Sequence, residues 1–198
     1  SSCNGAGVKF KILHEEGSPF DRLVDLAAFE DLVLFGLHGV FDYGIVTDRP
    51  EKPIDLLIQF ITAGVRPILA VSDSYRPIQR VLVAYSGSTE SARTVKQFVR
   101  NNPWPAASIR FITFDADEQQ GRARLEQAAS YAEDHGLSAD LKFVQGPAKG
   151  HIIEEADAYE ADVIVMGNSA KSLLSRKIFG ETALHCLQHA DRPVYLNQ

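Results

Sequence analysis

Sulfur and indole are scarce in this 198-residue chain, which has two cysteines, one methionine and one tryptophan. Cys3 and Cys186 lie too far apart in sequence to make a disulfide framework, so a reducing cytoplasm is the expected location. No apolar run approaches the ~20 residues that cross a bilayer. The small, polar stretch from Ser1 to Gly7 lacks the charged-then-apolar pattern of a secretion signal. Excess positive charge is also missing: the formal net charge is −6 and the pI about 5.5. Neither nucleic acid nor an anionic membrane is therefore an expected partner. What is present is a hydrophobic share of 45% against 23% charged, enough for a real core. That balance excludes a largely disordered chain.

The second half alternates strand and helix signals. Arg80 to Tyr85 is a short β-branched strand, and Gly87-Ser88 turns it into a helix ending near Asn101. Ile109 to Phe114 is the next strand, and Asp117 is placed to cap the helix that stops at His135-Gly136. Ala139 to Val144 is a third strand, and Gly146-Pro147 opens a helix. Ala161 to Met166 is an unbroken apolar strand, as expected for one buried on both faces. A loop from Gly167 to Gly180, a helix from Glu181 to His189 and a strand from Pro193 to Leu196 complete the series. Such alternation predicts an α/β fold, with an open parallel sheet covered on both faces.

The first half repeats part of this. Glu30-Asp31-Leu-Val-Leu-Phe-Gly36 matches Ala161-Asp162-Val-Ile-Val-Met-Gly167. Arg66-Pro67-Ile-Leu-Ala-Val71 matches Arg192-Pro193-Val-Tyr-Leu-Asn197, and Gly17 matches Gly146. The three offsets are 131, 126 and 129 residues, in one order. At that spacing the counterpart of Gln79 falls about 50 residues before Ser1, so the expectation is a first copy lacking two strands and two helices. Two domains follow: residues 1–76, including a strand from Val8 to Leu13 and a linker at Asp73 to Arg76, and residues 77–198.

With these blocks in view, residues 79–198 resemble the universal stress protein family. The carrying residues are Val81-Leu-Val-Ala-Tyr-Ser-Gly-Ser88, Asp162-Val-Ile-Val-Met-Gly167, Gly180 and His189-Ala-Asp-Arg-Pro-Val194. Residues 8–72 resemble the later part of the same fold, so the pair looks like a tandem member. The resemblance implies a Rossmann-like, five-stranded parallel sheet of order 3-2-1-4-5 in the second domain, with a partial repeat in the first. It also implies association through the fifth strands, as a homodimer or as an intrachain pseudo-dimer with Ile68 to Val71 beside Val194 to Leu196.

Members of that family that bind ATP carry Gly-x2-Gly-x9-Gly-Ser/Thr after the fourth strand. Glycines there let backbone N–H groups approach phosphates at a helix N-terminus. Here the spacing is kept as Gly167-Asn-Ser-Ala170, nine residues, Gly180-Glu181-Thr182. Ala170 stands for a glycine, Glu181 for the hydroxyl residue, and Ser86 for the family's acidic residue. Lys171, Arg176 and Lys177 lie within the loop, either as solvated charges or as cations that offset the charge there. The first-domain equivalent keeps Gly36 and Gly39 but has Arg49 where the next glycine belongs. The nucleotide-binding residues carried over are Tyr85, Ser86, Gly87, Phe114, Met166, Gly167, Ala170, Gly180, Glu181 and Thr182. ATP with Mg2+ is the cofactor the resemblance allows, and no cofactor is the other expectation.

Other constellations are weaker. His185 and His189 share a helical face with Cys186 between them, but no third metal ligand is evident. Asp115 and Asp117 read as capping residues rather than Mg2+ ligands, and His14-Glu15-Glu16 as a turn. No spacing supports a catalytic triad, so no catalytic residue and no metal site is assigned. The resemblance implies a non-enzymatic stress-response scaffold or regulator that acts by dimerisation and protein-partner binding. Alternatives are an ATP-binding switch with at most slow hydrolysis, or a regulatory domain of a larger transporter or kinase.

Overall fold

The computed structural model describes residues 5, 7–14, 16, 18–36, 53–65, 67–72, 74–167 and 180–197. In chain order the elements are α1 (Pro19–Ala27), β1 (Val33–Gly36), α2 (Pro53–Thr62), β2 (Ile68–Val71) and β3 (Arg80–Ala84). There follow α3 (Thr89–Asn101), β4 (Ser108–Asp115), α4 (Glu118–Glu133) and β5 (Ala139–Gln145). The chain ends with α5 (Ile152–Ala158), β6 (Val163–Gly167), α6 (Glu181–His189) and β7 (Val194–Asn197).

One seven-stranded sheet joins them in the order β1-β2-β7-β6-β3-β4-β5. Every neighbouring pair is parallel except β2 and β7, which run antiparallel with Ile68 opposite Leu196 and Ala70 opposite Val194. The intrachain contact between Ile68–Val71 and the last strand is thus present. Within the second half the strands lie in the spatial order β5-β4-β3-β6-β7.

Strand alternation sorts the core into two layers. Leu82, Ile112 and Ile164 point to one face, where Leu57, Ile152, Ala183 and Leu187 cover them. Val81, Val83, Phe111, Val163 and Val165 point to the other, under Phe98, Val99, Leu125 and Ala128. Helices α2, α5 and α6 therefore lie opposite α3 and α4. Apolar runs such as Val163 to Met166 follow from burial on both faces.

Caps and short connections set the element bounds. Ser88 Oγ accepts from Ser91 N at 3.1 Å, and Asp117 Oδ1 from Gln120 N at 3.1 Å, starting α3 and α4. Asp162 Oδ2 accepts from Gln79 N at 2.8 Å and Arg80 N at 2.9 Å, tying the start of β3 to β6. Two strand pairs share a local pattern. Val33 N donates to Pro67 O at 3.0 Å, and Ile164 N to Pro193 O at 3.1 Å. In register, too, Val33 faces Ile68 as Ile164 faces Val194.

Two expectations are corrected. No strand forms from Val8 to Leu13; residues 7–14 are exposed and irregular. A strand needs a neighbour for its N–H and C=O groups, and among the described residues none lies beside this segment. The helix expected at Gly146-Pro147 begins five residues later at Ile152. Gly146 and Gly150 take φ of 117° and 95°, outside the helical region, and hold the chain in a turn. Cys3, Gly39 and Arg49 lie outside the described residues. Among the described residues, eight of the ten exposed large hydrophobic side chains fall between Val8 and Leu34.

Candidate functional site

The C-terminal ends of β3, β4 and β6 meet at one side of the sheet. From β3 the chain crosses through α3 to β4, whereas β6 flanks β3 on its other edge. The connections on either side of β3 diverge there and leave a crevice, the usual ligand position in an open α/β sheet. The crevice is lined by Ala84, Tyr85, Ser86, Ser91, Phe114, Ala148, Ile152, Met166, Gly167 and Thr182. Its cavity of about 80 Å³ has room for several waters or the edge of a ring.

The lining divides into two kinds of surface. Ile152 and Met166 are buried, and with half-buried Phe114 and Tyr85 they give an apolar wall. Beside it stands a knot of hydroxyls at the start of α3. Ser86 Oγ lies 3.1 Å from Ser91 Oγ and 3.2 Å from Ser88 Oγ, and Ser91 Oγ donates to Ser88 O at 2.9 Å. Thr113 Oγ1 donates to Tyr85 O at 2.6 Å, fixing the β3 end against β4. Thr182 contributes a further hydroxyl from the first turn of α6.

Gly167 serves packing. A β-carbon there would stand 2.9 Å from Ser91 Cα and 3.0 Å from Ser91 N. The end of β6 thus lies against the backbone of α3 at a distance only glycine permits. Thr94, fully buried, reinforces this contact: its Oγ1 is 2.9 Å from Glu90 O and 3.2 Å from Asn197 O.

Of the residues marked by sequence, Tyr85, Ser86, Phe114, Met166, Gly167 and Thr182 come together in the cavity wall. Gly87 and Glu181 adjoin lining residues in sequence and Gly180 is two positions from Thr182, but none of the three lines it. Gly87 sits under Arg124, which pairs with Asp115 and Gln120. Gly180 is the N-cap position of α6, and Glu181 forms an ion pair with Lys149 at 3.6 Å. Ala170, Lys171, Arg176 and Lys177 lie outside the described residues. Ala84, Ser91, Ala148 and Ile152 were missed. Ser91 carried a signal, since its spacing from Ser88 suits a residue whose N–H meets the cap. Ala148 and Ile152 carried none, because the turn before α5 brings them over the sheet.

The electrostatics are modest. The Asp117 N–H holds the Asp115 carboxyl below its ordinary value, and Arg124 adds to this while partial burial opposes it. Asp115 is therefore engaged as an N–H acceptor and ion-pair partner. His185 and His189 stack with ring centres 4.4 Å apart. Burial, then the positive charge of His189 and Lys149, lowers His185. Cys186 is fully buried and its thiol is pushed up to about 12, so it is inert at neutral pH. Among the described residues no three His, Cys, Asp or Glu side chains converge on a metal position. Among them, too, no helix is long and apolar enough to cross a membrane.

Comparison with known proteins agrees with this architecture. The model of the Universal stress protein family matches residues 98–196, half of the chain. The universal stress protein MJ0531 of Methanocaldococcus jannaschii is 30% identical over 77 residues, covering 39% of this chain and 45% of that protein. The match thus spans less than half of that relative. A crystal structure of a universal stress protein from Archaeoglobus fulgidus covers 98% of this chain and 70% of its own, with TM-score 0.70 and 16% identity. A universal stress protein solved in complex with cAMP covers 61% of this chain and 97% of its own, with TM-score 0.52 and 24% identity. These two structures share the fold.

Proposed function

Because the chain belongs to the universal stress protein family, we propose that it is a non-enzymatic stress-response regulator that holds an adenine nucleotide in the crevice above β3, β4 and β6. The single observation that carries this reading is the convergence of Tyr85, Ser86, Phe114, Met166, Gly167 and Thr182 on one cavity at the sheet's switch point. The apolar wall suits the faces of a purine, and the hydroxyl knot suits its polar edge or sugar. That a related fold was solved with cAMP supports the same ligand class. In this reading the chain is built of two units, residues 1–76 and 77–198. Their last strands, β2 and β7, pair within the chain, so a protein partner docks elsewhere.

The rival reading is a scaffold with no ligand. Glu181 favours it, since a carboxylate beside Thr182 repels phosphate. Calorimetric titration with AMP separates the two. One saturable site per chain is expected, with affinity reduced about tenfold in Phe114→Ala through loss of ring contact. Absence of binding heat, together with no displacement of a fluorescent nucleotide, would support the scaffold.

A further inference from the structure

β5 ends the sheet, and among the described residues β4 is its sole neighbour strand. Gly146 N, just past β5, donates to Asp115 O of β4 at 3.0 Å. Backbone direction alternates along a strand, so Ala139, Leu141, Phe143 and Gln145 turn their N–H and C=O groups away from β4. Leu141 N accordingly meets a side chain instead, Asp140 Oδ1 at 2.9 Å. Side chains alternate as well. Ala139 and Phe143 pack in the layer under α4, and Leu141 between them is 39% exposed. Asp140 and Lys142 lie on the opposite face, paired with Arg110 and, at 3.8 Å, with Glu155. Their side chains are 58% and 45% exposed, so each has room for a second partner.

We propose that the β5 edge is where a second copy of this chain docks, antiparallel about a two-fold axis at Leu141. The order of charges points to that partner. In this register Asp140 stands opposite Lys142 of the second copy, and Lys142 opposite Asp140 of the second copy. On the other face Leu141 meets its own counterpart, and Ala139 meets Phe143. The next two-fold registers on either side set Asp140 against Asp140 or Lys142 against Lys142, and like charges directly opposite are unfavourable. The strand is thus complementary to itself, as a two-fold interface requires. The two Leu141 residues exchange N–H···O=C bonds, and the Asp140 carboxylate turns from the Leu141 N–H to the lysine. β7 does not offer this surface, because β2 already lies on its edge within the chain. At the far end of the sheet β1 is Val33–Gly36, with no charged side chain to fix a register. Only residues 139–143 pair in each copy, so the dimer is of the weak, reversible class.

Sedimentation equilibrium of the whole chain at low salt, from micromolar to millimolar protein, tests this. Wild type is expected to be a reversible mixture of monomer and dimer. Lys142→Glu and Asp140→Lys each set like charges opposite one another, and each is expected to weaken association about tenfold. An equimolar mixture of the two variants restores opposite charges at both pairs and is expected to associate as wild type does. Leu141→Pro removes an N–H that β4 does not use, and is expected to leave a monomer. Thermal melts establish that each variant folds; the charge variants, altered at exposed positions, carry the test if the proline variant does not. Three results would overturn the inference: a wild type that stays monomeric at millimolar concentration, one that grows into open-ended oligomers, or a dimer that the charge variants leave unchanged. Failure of the mixture to associate would overturn it as well.

Discussion

Gly167→Ala is expected to destabilise the chain by about 2–3 kcal/mol, with or without ligand. The added β-carbon meets Ser91 Cα at 2.9 Å and Ser91 N at 3.0 Å. Both are backbone atoms of α3, so no side-chain rotamer relieves the clash. Relief requires β6 and α3 to part, and α3 is held by Phe98 and Val99 in the core. Thr94, whose Oγ1 would lie 3.1 Å from the new methyl, loses its contact with Asn197 O when they separate. In a chain of this size the melting temperature should fall by roughly 5–10 °C. Urea titration should show an earlier midpoint at unchanged slope, as for a loss of stability alone. A glycine kept only for phosphate access predicts another result: unchanged melting and weaker nucleotide binding.

Arg192→Met is expected to cost about 2–3 kcal/mol. Arg192 is only 5% exposed, and its Nη1 donates to Ala161 O at 2.9 Å. Nε donates to Asp191 Oδ1 at 2.8 Å, and Nη2 pairs with Asp157. Methionine fills the volume but leaves the carbonyl of fully buried Ala161 without its donor. A buried group stripped of its partner bears its full desolvation penalty. Asp157→Asn removes the charge pair alone. With Asp157 58% exposed, that change is expected to cost less than about 1 kcal/mol. The contrast is the informative part. Equal losses in denaturant titrations would place the value of Arg192 in its ion pairs rather than in its hydrogen bond to Ala161 O.

Much of the second half was legible because it is buried on both faces. Val81 to Val83 and Val163 to Met166 are apolar without interruption, a pattern with few alternatives in a chain that also shows caps at Ser88 and Asp117. The strand at Val33 to Gly36 was legible as well, and it lies parallel to β2 as β6 lies parallel to β7. Strand ends also announced Tyr85, Phe114, Met166 and Gly167, since a parallel sheet brings the C-terminal ends of neighbouring strands together. Three things were not legible. Val8 to Leu13 has a good strand pattern, but pattern supplies no neighbour, and the segment stays irregular. Ala148 and Ile152 reach the cavity through a turn whose path depends on two left-handed glycines. The ion pair of Lys149 and Glu181 joins residues 32 positions apart, so only the fold brings them together.

The most direct test of the central claim is hydrogen–deuterium exchange of the whole chain, with and without saturating AMP. Protection is expected at Ala84 to Ser91, at Phe114, at Ala148 to Ile152 and at Gly180 to Thr182. The seam of Ile68–Val71 with Val194–Asn197 should stay unchanged. Protection confined to that seam or to the first segment, or no protection anywhere, would contradict a nucleotide site above β3, β4 and β6.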